Sequence, residues 1–275
     1  MTHYKIKLNQ QVDYLNRIIR FLAKRDLADL TSDKLFSRRG VRQVDRLILM
    51  GGITTPDFAE IAAKAYHSGF AKKLMVVGGI GHSTQNLRDN IVAHPIYATV
   101  STASRSEAEM LCDILIDFLG VEPNNILAER ESTNCGNNAT FALQVARNVK
   151  AVPEFAVILQ DPIMQRRTYE SFLHGWRTEL TVFDCFAPII PLLGAKDGKI
   201  EFAEPSHVLY YRMNSFLDLV MGEIPRLRDD ENGYGPNGHG FIGHIDIPEE
   251  VLQAFENLIP HYSQFGNRNS NFFVH

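Results

Sequence analysis

The sequence is poor in cysteine and contains no long apolar run. Its three cysteines, Cys112, Cys135 and Cys185, are too few and odd in number for a disulfide framework in a chain of 275 residues. Reduced thiols point to the cytoplasm. No apolar stretch approaches the roughly 20 residues of a helical membrane span. The first thirty residues carry charges throughout and lack the apolar core and small-residue cleavage site of a secretory signal. Basic runs are missing as well. Lys and Arg number 28 against 32 Asp and Glu, a net charge of −4, so duplex nucleic acid is a poor partner. Two motifs are absent. No G-x-G-x-x-G runs from the first strand into a helix, which disfavours a nicotinamide dinucleotide. No G-x-S-x-G elbow occurs, which argues against a serine enzyme of the α/β-hydrolase type. These absences lead to the expectation of a cytoplasmic protein with a small-molecule ligand, no nucleic-acid partner and no membrane partner.

What is present is ordinary globular composition, 45% hydrophobic and 22% charged, enough for one large α/β domain or a domain with a small accessory unit. Residues 8–25 read as an amphipathic helix, with Val12, Leu15, Ile18, Ile19 and Leu22 on one stripe. Short apolar runs follow at 46–50, 73–77, 126–128, 155–159 and 180–186, separated by helical patterns. Thr55, Pro56 and Asp57 suit the start of the helix after the first strand. Ser104 and Glu107 have capping-box spacing for another, and Asp161 before Pro162 suits the cap of a third. Val208–Met221 reads as a helix, Glu223–Gly243 as a glycine-rich loop and Pro248–Leu258 as a final helix. The alternation predicts an α/β fold, a Rossmann-like doubly wound parallel sheet of five strands in order 3-2-1-4-5. The expected core is 41–200, with 1–40 and 201–275 as accessory helical segments packed on it.

The loops after the first four strands are all polar or glycine-rich, and the topology puts them on one edge. They are Gly51–Pro56, Gly78–Thr84, Glu129–Asn138 and Gln160–Pro162. In an open α/β sheet that edge holds the ligand. Glycines there let a backbone approach a ligand closely, or serve a plain turn.

Four stretches carry a resemblance: GGIGHST at 78–84, ESTNCGNNA at 131–139, QDP-x-MQRRT at 160–168, and GE-x-PRLRDD-x-x-GYGP at 222–236. In this order they resemble the bacterial YdcF/SanA/ElyC family, once known only as a domain of unknown function. The resemblance runs from the first strand to Ile245. It implies a Rossmann-like core with a small helical addition and association with S-adenosylmethionine, and it carries no methyl acceptor with it. Many relatives have Thr or Ser and a His after the fourth strand, where this chain has Gln160-Asp161 and Met164-Gln165.

Under that resemblance Glu107, Glu129 and Asp161 are the candidate catalytic carboxylates. Glu107 reads equally as the capping partner of Ser104, and Asp161 as a helix cap. Glu129 directly follows a buried strand and has no capping role visible in the sequence. It suits a sulfonium charge, ribose hydroxyls or a general base. Gly51, Gly52, Gly78, Gly79, His82, Ser83, Ser132, Thr133, Asn134, Asn137 and Gln160 are candidate cofactor contacts. Arg166 and Arg167 are a candidate anion clamp. His239, His244 and Asp246 match no strong zinc spacing. Two other readings stay open: a hydrolase or transferase for a phosphorylated or nucleotide-like substrate, built on Arg166 and Arg167, and a non-catalytic ligand sensor.

Overall fold

The computed structural model describes residues 6–52, 56–81, 84–209 and 211–262. By its contacts the chain divides into two compact units. One comprises Arg25–Asp161 and Thr168–Pro188, and the other Met1–Lys24, Pro162–Arg167 and Ile189–His275.

The first unit is an α/β fold with a five-stranded, wholly parallel sheet in order β3-β2-β1-β4-β5. Its strands are β1 (Val44–Met50), β2 (Ala71–Val77), β3 (Ile126–Glu129), β4 (Phe155–Leu159) and β5 (Val182–Phe186). Between them run α3 (Phe58–His67), α4 (Thr84–Ala93), α5 (Glu107–Asp113), α6 (Cys135–Asn148) and α7 (Gln165–Gly175). The central strands are apolar on both faces because helices cover both. Leu47, Ile48, Leu49, Met50, Leu74, Met75, Val76 and Val77 are all fully buried. On one face Ile48, Met50, Met75, Val77 and Ile158 pack with Ala139, Ala142 and Leu143 of α6 and with Phe172, Trp176 and Phe183. Trp176 Nε1 donates to Ala139 O at 2.9 Å, so its one polar atom is satisfied inside the cluster.

β1 and β2 begin two residues before their apolar runs, at Val44 and Ala71, because backbone pairing extends past the burial signal. β5 begins two residues late. Leu180 is 97% exposed and stands outside the sheet. α5 starts with a capping box of Ser106 and Glu109, not Ser104 and Glu107. Ser104 has a left-handed φ of +58°, which takes it out of the capping geometry. α7 starts at Gln165 after a turn over 162–164, so Asp161 does not cap it. α3 starts at Phe58 and Asp57 gives it no side-chain cap bond. Thr55 lies outside the described residues.

Residues 25–39, expected among the accessory segments, belong to the sheet unit. Asp26 N–H donates to Cys185 O at 2.9 Å, and Asp26 Oδ2 accepts from Cys185 N at 2.9 Å. One residue thus satisfies the outward backbone pair of the edge strand, which shields that edge from strand addition. α2 (Ser32–Arg39) adds Arg38 and Arg39, both paired with the buried Asp184 of β5.

The second unit holds α1 (Leu8–Leu22), an antiparallel hairpin of β6 (Leu193–Lys196) and β7 (Lys199–Phe202), α8 (Met213–Leu227) and α9 (Glu249–Tyr262). The five stripe residues of α1 are its buried ones. Asn16 fastens the hairpin by donating to Leu193 O and accepting from Leu193 N, each at 2.8 Å. α8 starts at Met213 and runs to Leu227, through the expected loop boundary and past Pro225. α9 runs four residues beyond Leu258.

Candidate functional site

The carboxyl ends of β1, β2, β3 and β4 are joined by a continuous set of polar contacts. Gly78 N–H donates to Glu129 O at 3.1 Å. Glu107 and Ala108, the first residues of α5, donate their N–H groups to Gly79 O at 3.0 Å and Gly78 O at 2.8 Å. The start of α5 is therefore docked on the loop carbonyls after β2. Gln160, after β4, reaches back to β1, where its Nε2 donates to Gly51 O at 3.1 Å, and its Oε1 accepts from Asp161 N at 2.6 Å.

The glycines admit protein rather than leaving a gap. A Cβ on Gly51 would stand 2.8 Å from Glu107 Cβ, and one on Gly78 would stand 3.0 Å from Glu107 Oε2. A Cβ on Gly79 would meet the Ser132 backbone, with its nitrogen 2.7 Å away. Gly51 and Gly78 thus form a slot for the Glu107 side chain, and Gly79 seats the loop after β3. Gly52 has a left-handed φ of +77° and serves the turn.

Glu107 is 5% exposed. Its Oε1 accepts from Thr84 Oγ1 at 2.9 Å, and Thr84 Oγ1 in turn accepts from Gly81 N at 2.8 Å. Because the capping box lies at Ser106 and Glu109, Glu107 is not spent on helix capping, which removes the alternative role the sequence left open. Asp161 is 1% exposed.

Glu129 is the last residue of β3, not the first after it, and is 1% exposed. The sequence shows no capping role for it, and the structure gives it local hydrogen-bond partners. Its Oε1 accepts from Glu131 N at 2.7 Å and Ser132 N at 2.9 Å, and its Oε2 accepts from Ser132 Oγ at 2.6 Å. Ser132 Oγ also accepts from Gly79 N at 3.0 Å. This buried carboxylate is held by neutral donors and organises two loops at once.

The remaining candidates divide by position. Asn134 caps α6, its side chain accepting from the Asn137 backbone N–H at 2.9 Å, so Asn134 does ordinary capping. Thr133 is exposed. His82 and Ser83 lie outside the described residues. Arg166 and Arg167 are committed within the second unit. Arg166 Nε donates to Phe21 O at 3.1 Å, and its head lies 4.4 Å from the Phe21 ring centroid. Arg167 holds the buried Glu223 bidentately, at 2.7 Å and 3.0 Å, and Arg226 adds a third bond to Glu223 at 3.2 Å. Arg167 is thereby engaged by an anion of the protein itself. Glu223, 56 residues away in sequence, is the anion that Arg167 clamps.

His244 sits between Asp229, at 2.8 Å, and Asp246, at 3.3 Å, while His239 stacks on Phe241. Among the described residues no three His, Cys, Asp or Glu side chains are grouped to hold a metal ion. No disulfide joins Cys112, Cys135 and Cys185. Burial pushes the Cys112 thiol up to about 12, which leaves it inert at neutral pH. Among the described residues no helix is long and apolar enough to cross a membrane.

Sequence reasoning missed Thr84 as a partner of Glu107. Its signal was a hydroxyl residue, Thr84, opening a helix shortly after a glycine loop. No protein-family model matches the chain.

Proposed function

We propose that this chain binds S-adenosylmethionine at the carboxyl edge of its parallel sheet and acts as a transferase. The observation that carries the reading is the placement of three buried carboxylates, Glu107, Glu129 and Asp161, along that edge. They stand where the strand order reverses, between β1 and β4, and beside it over β2 and β3. Buried negative groups favour a ligand that brings positive charge and hydroxyl donors. S-adenosylmethionine has a sulfonium, an ammonium and a ribose diol, and when bound supplies a methyl group activated by its cationic sulfur. Glu107 and Asp161 are the groups we assign to the charged and hydroxyl-bearing parts, and Glu129 holds the surrounding loops in shape. The resemblance to the YdcF/SanA/ElyC family supports the same ligand. Cysteines without a disulfide among them support a cytoplasmic location.

The phosphoryl reading loses its main support, since Arg166 and Arg167 already have protein partners. The test is calorimetry with S-adenosylmethionine, S-adenosylhomocysteine, ATP and a UDP-sugar. Low-micromolar binding of S-adenosylmethionine, with weaker binding of the thioether product, whose sulfur is neutral, and none of the nucleotides, is the expected result. Binding of a phosphorylated ligand alone overturns it. Tight binding with no turnover against cell extract supports the sensor reading over the transferase.

A further inference from the structure

We infer that Arg88 is an anion-holding residue of this site and that the ligand taken there carries a carboxylate as well as a positive centre. The inference rests on the S-adenosylmethionine reading above and extends it to the amino-acid end of the ligand. Thr84 and Arg88 are four residues apart on α4, so they share one face of the helix. Thr84 donates to Glu107 at 2.9 Å. Arg88 Nη2 donates to Arg105 O at 2.9 Å, on the residue just before the Ser106 cap of α5. The guanidinium is thereby held beside the start of α5, whose first residue is Glu107.

What Arg88 lacks is an acceptor for one buried nitrogen of its head. Its Nε is buried with no hydrogen-bond partner. Among the described residues it is in no ion pair, whereas Arg105 beside it pairs with Glu109 and Asp113. A guanidinium has five N–H donors in a planar fork, and buried N–H groups in folded proteins are rarely left unpaired. A planar oxyanion matches that fork. Glu107 is a buried carboxylate at the same helix start, which favours positive charge nearby, and the buried Nε of Arg88 favours negative charge. One ligand answering both is a zwitterion, such as the α-amino-acid portion of S-adenosylmethionine.

The experiment is calorimetry on the full chain with S-adenosylmethionine and with its decarboxylated analogue, which keeps the sulfonium and the ammonium. Wild type is expected to prefer the carboxylate-bearing ligand. Arg88→Gln is expected to lose about tenfold or more for S-adenosylmethionine, the size of a charge-assisted hydrogen bond, and to change less than about twofold for the analogue. Arg88→Lys keeps the charge without the fork and is expected to fall between; it also keeps the test usable if the glutamine variant folds poorly. Equal loss for both ligands means that Arg88 acts through packing and overturns the inference, as does no loss for either. Failure of wild type to bind S-adenosylmethionine overturns the parent reading and this inference with it, and is seen before any variant is made.

Discussion

Thr84 Oγ1 donates to Glu107 Oε1 at 2.9 Å and so ties the first turn of α4 to the first residue of α5. The bond crosses 23 residues of sequence and ends on a carboxylate that Gly51 and Gly78 enclose. Thr84→Val keeps the shape and removes the hydroxyl. It leaves Glu107 short of one donor and Gly81 N–H short of its acceptor. We expect a loss of about 1–3 kcal/mol of stability by urea denaturation. Glu107→Gln keeps the volume and removes the charge. Its expected mark is a larger loss of affinity for S-adenosylmethionine than for S-adenosylhomocysteine. Equal losses for the two ligands would show that Glu107 does not sense the ligand's charge.

Gly79 and Gly243 offer a contrast in what a methyl group meets. At Gly79 a Cβ runs into the backbone of Ser132, which has no freedom to turn away. At Gly243 there is nothing within 4 Å, and its φ is not left-handed. Gly79→Ala is expected to cost about 1–3 kcal/mol or more and to weaken ligand binding through the displaced loop. Gly243→Ala is expected to stay within about 0.5 kcal/mol of wild type. Urea unfolding curves of the two variants decide the matter. Similar midpoints would mean that the loops after β2 and β3 can separate freely.

Glu129, Ser132 and Gly79 form a chain in which the serine hydroxyl donates to the carboxylate and accepts from the glycine N–H. Removing either side chain breaks the same junction, so the effects are expected to be non-additive. A double-mutant cycle of Glu129→Ala and Ser132→Ala is expected to return a coupling of roughly 0.5–3 kcal/mol. A coupling near zero would assign Glu129 a role apart from Ser132.

The sheet order was legible because each strand is a short apolar run set between helical stripes, and no tertiary effect competes with that pattern. The cap of α5 was not. Ser104-Arg-Ser-Glu107 and Ser106-Glu-Ala-Glu109 carry the same spacing two residues apart, and only the left-handed φ at Ser104 separates them. The β6–β7 hairpin left a usable signal, Asp197-Gly198 between two short alternating segments, with φ of +49° and +75° suited to a tight hairpin turn. The glycines of the site mark close approach in either reading. Sequence could not say that the approaching groups are Glu107 and Ser132 of the same chain. Nor could it see Glu223 closing on Arg167, since nothing local to either residue announces the other.

His244 lies against Asp229 and Asp246, and these carboxylates hold its imidazolium above the usual histidine range. Asp229 is held below the usual carboxylate range by the Asn237 backbone N–H and by His244. The histidine's contribution is fully present below pH 6.5, its ordinary value, and fades as pH rises through the raised one. The aspartate's contribution is present above 3.8 and fades as pH falls through the lowered value. The segment carrying both is therefore expected to be held best between these two limits. Proton NMR titration of the His244 ring should give a midpoint above 6.5. Asp229→Asn should bring it down, and a midpoint indifferent to that change would mean the pair does not form in solution.

Arg167 and Glu223 make the opposite kind of ion pair, buried and bidentate. Glu223 is 1% exposed, and two arginines share its carboxylate. Truncating one member of such a pair strands the other's charge away from water, so Arg167→Ala or Glu223→Ala is expected to cost about 3–5 kcal/mol. Replacing both, as Arg167→Met with Glu223→Gln, leaves only Arg226, which is partly exposed and keeps its bond to Gly222 O, and should cost less than either truncation. A residue reserved for an anionic ligand behaves differently. Its removal lowers affinity and leaves stability unchanged or improved, because a cation waiting for a partner is relieved. Thermal unfolding of the single and double variants therefore separates a structural Arg167 from a ligand-binding one. A melting temperature that rises in Arg167→Ala would return this arginine to the list of anion contacts.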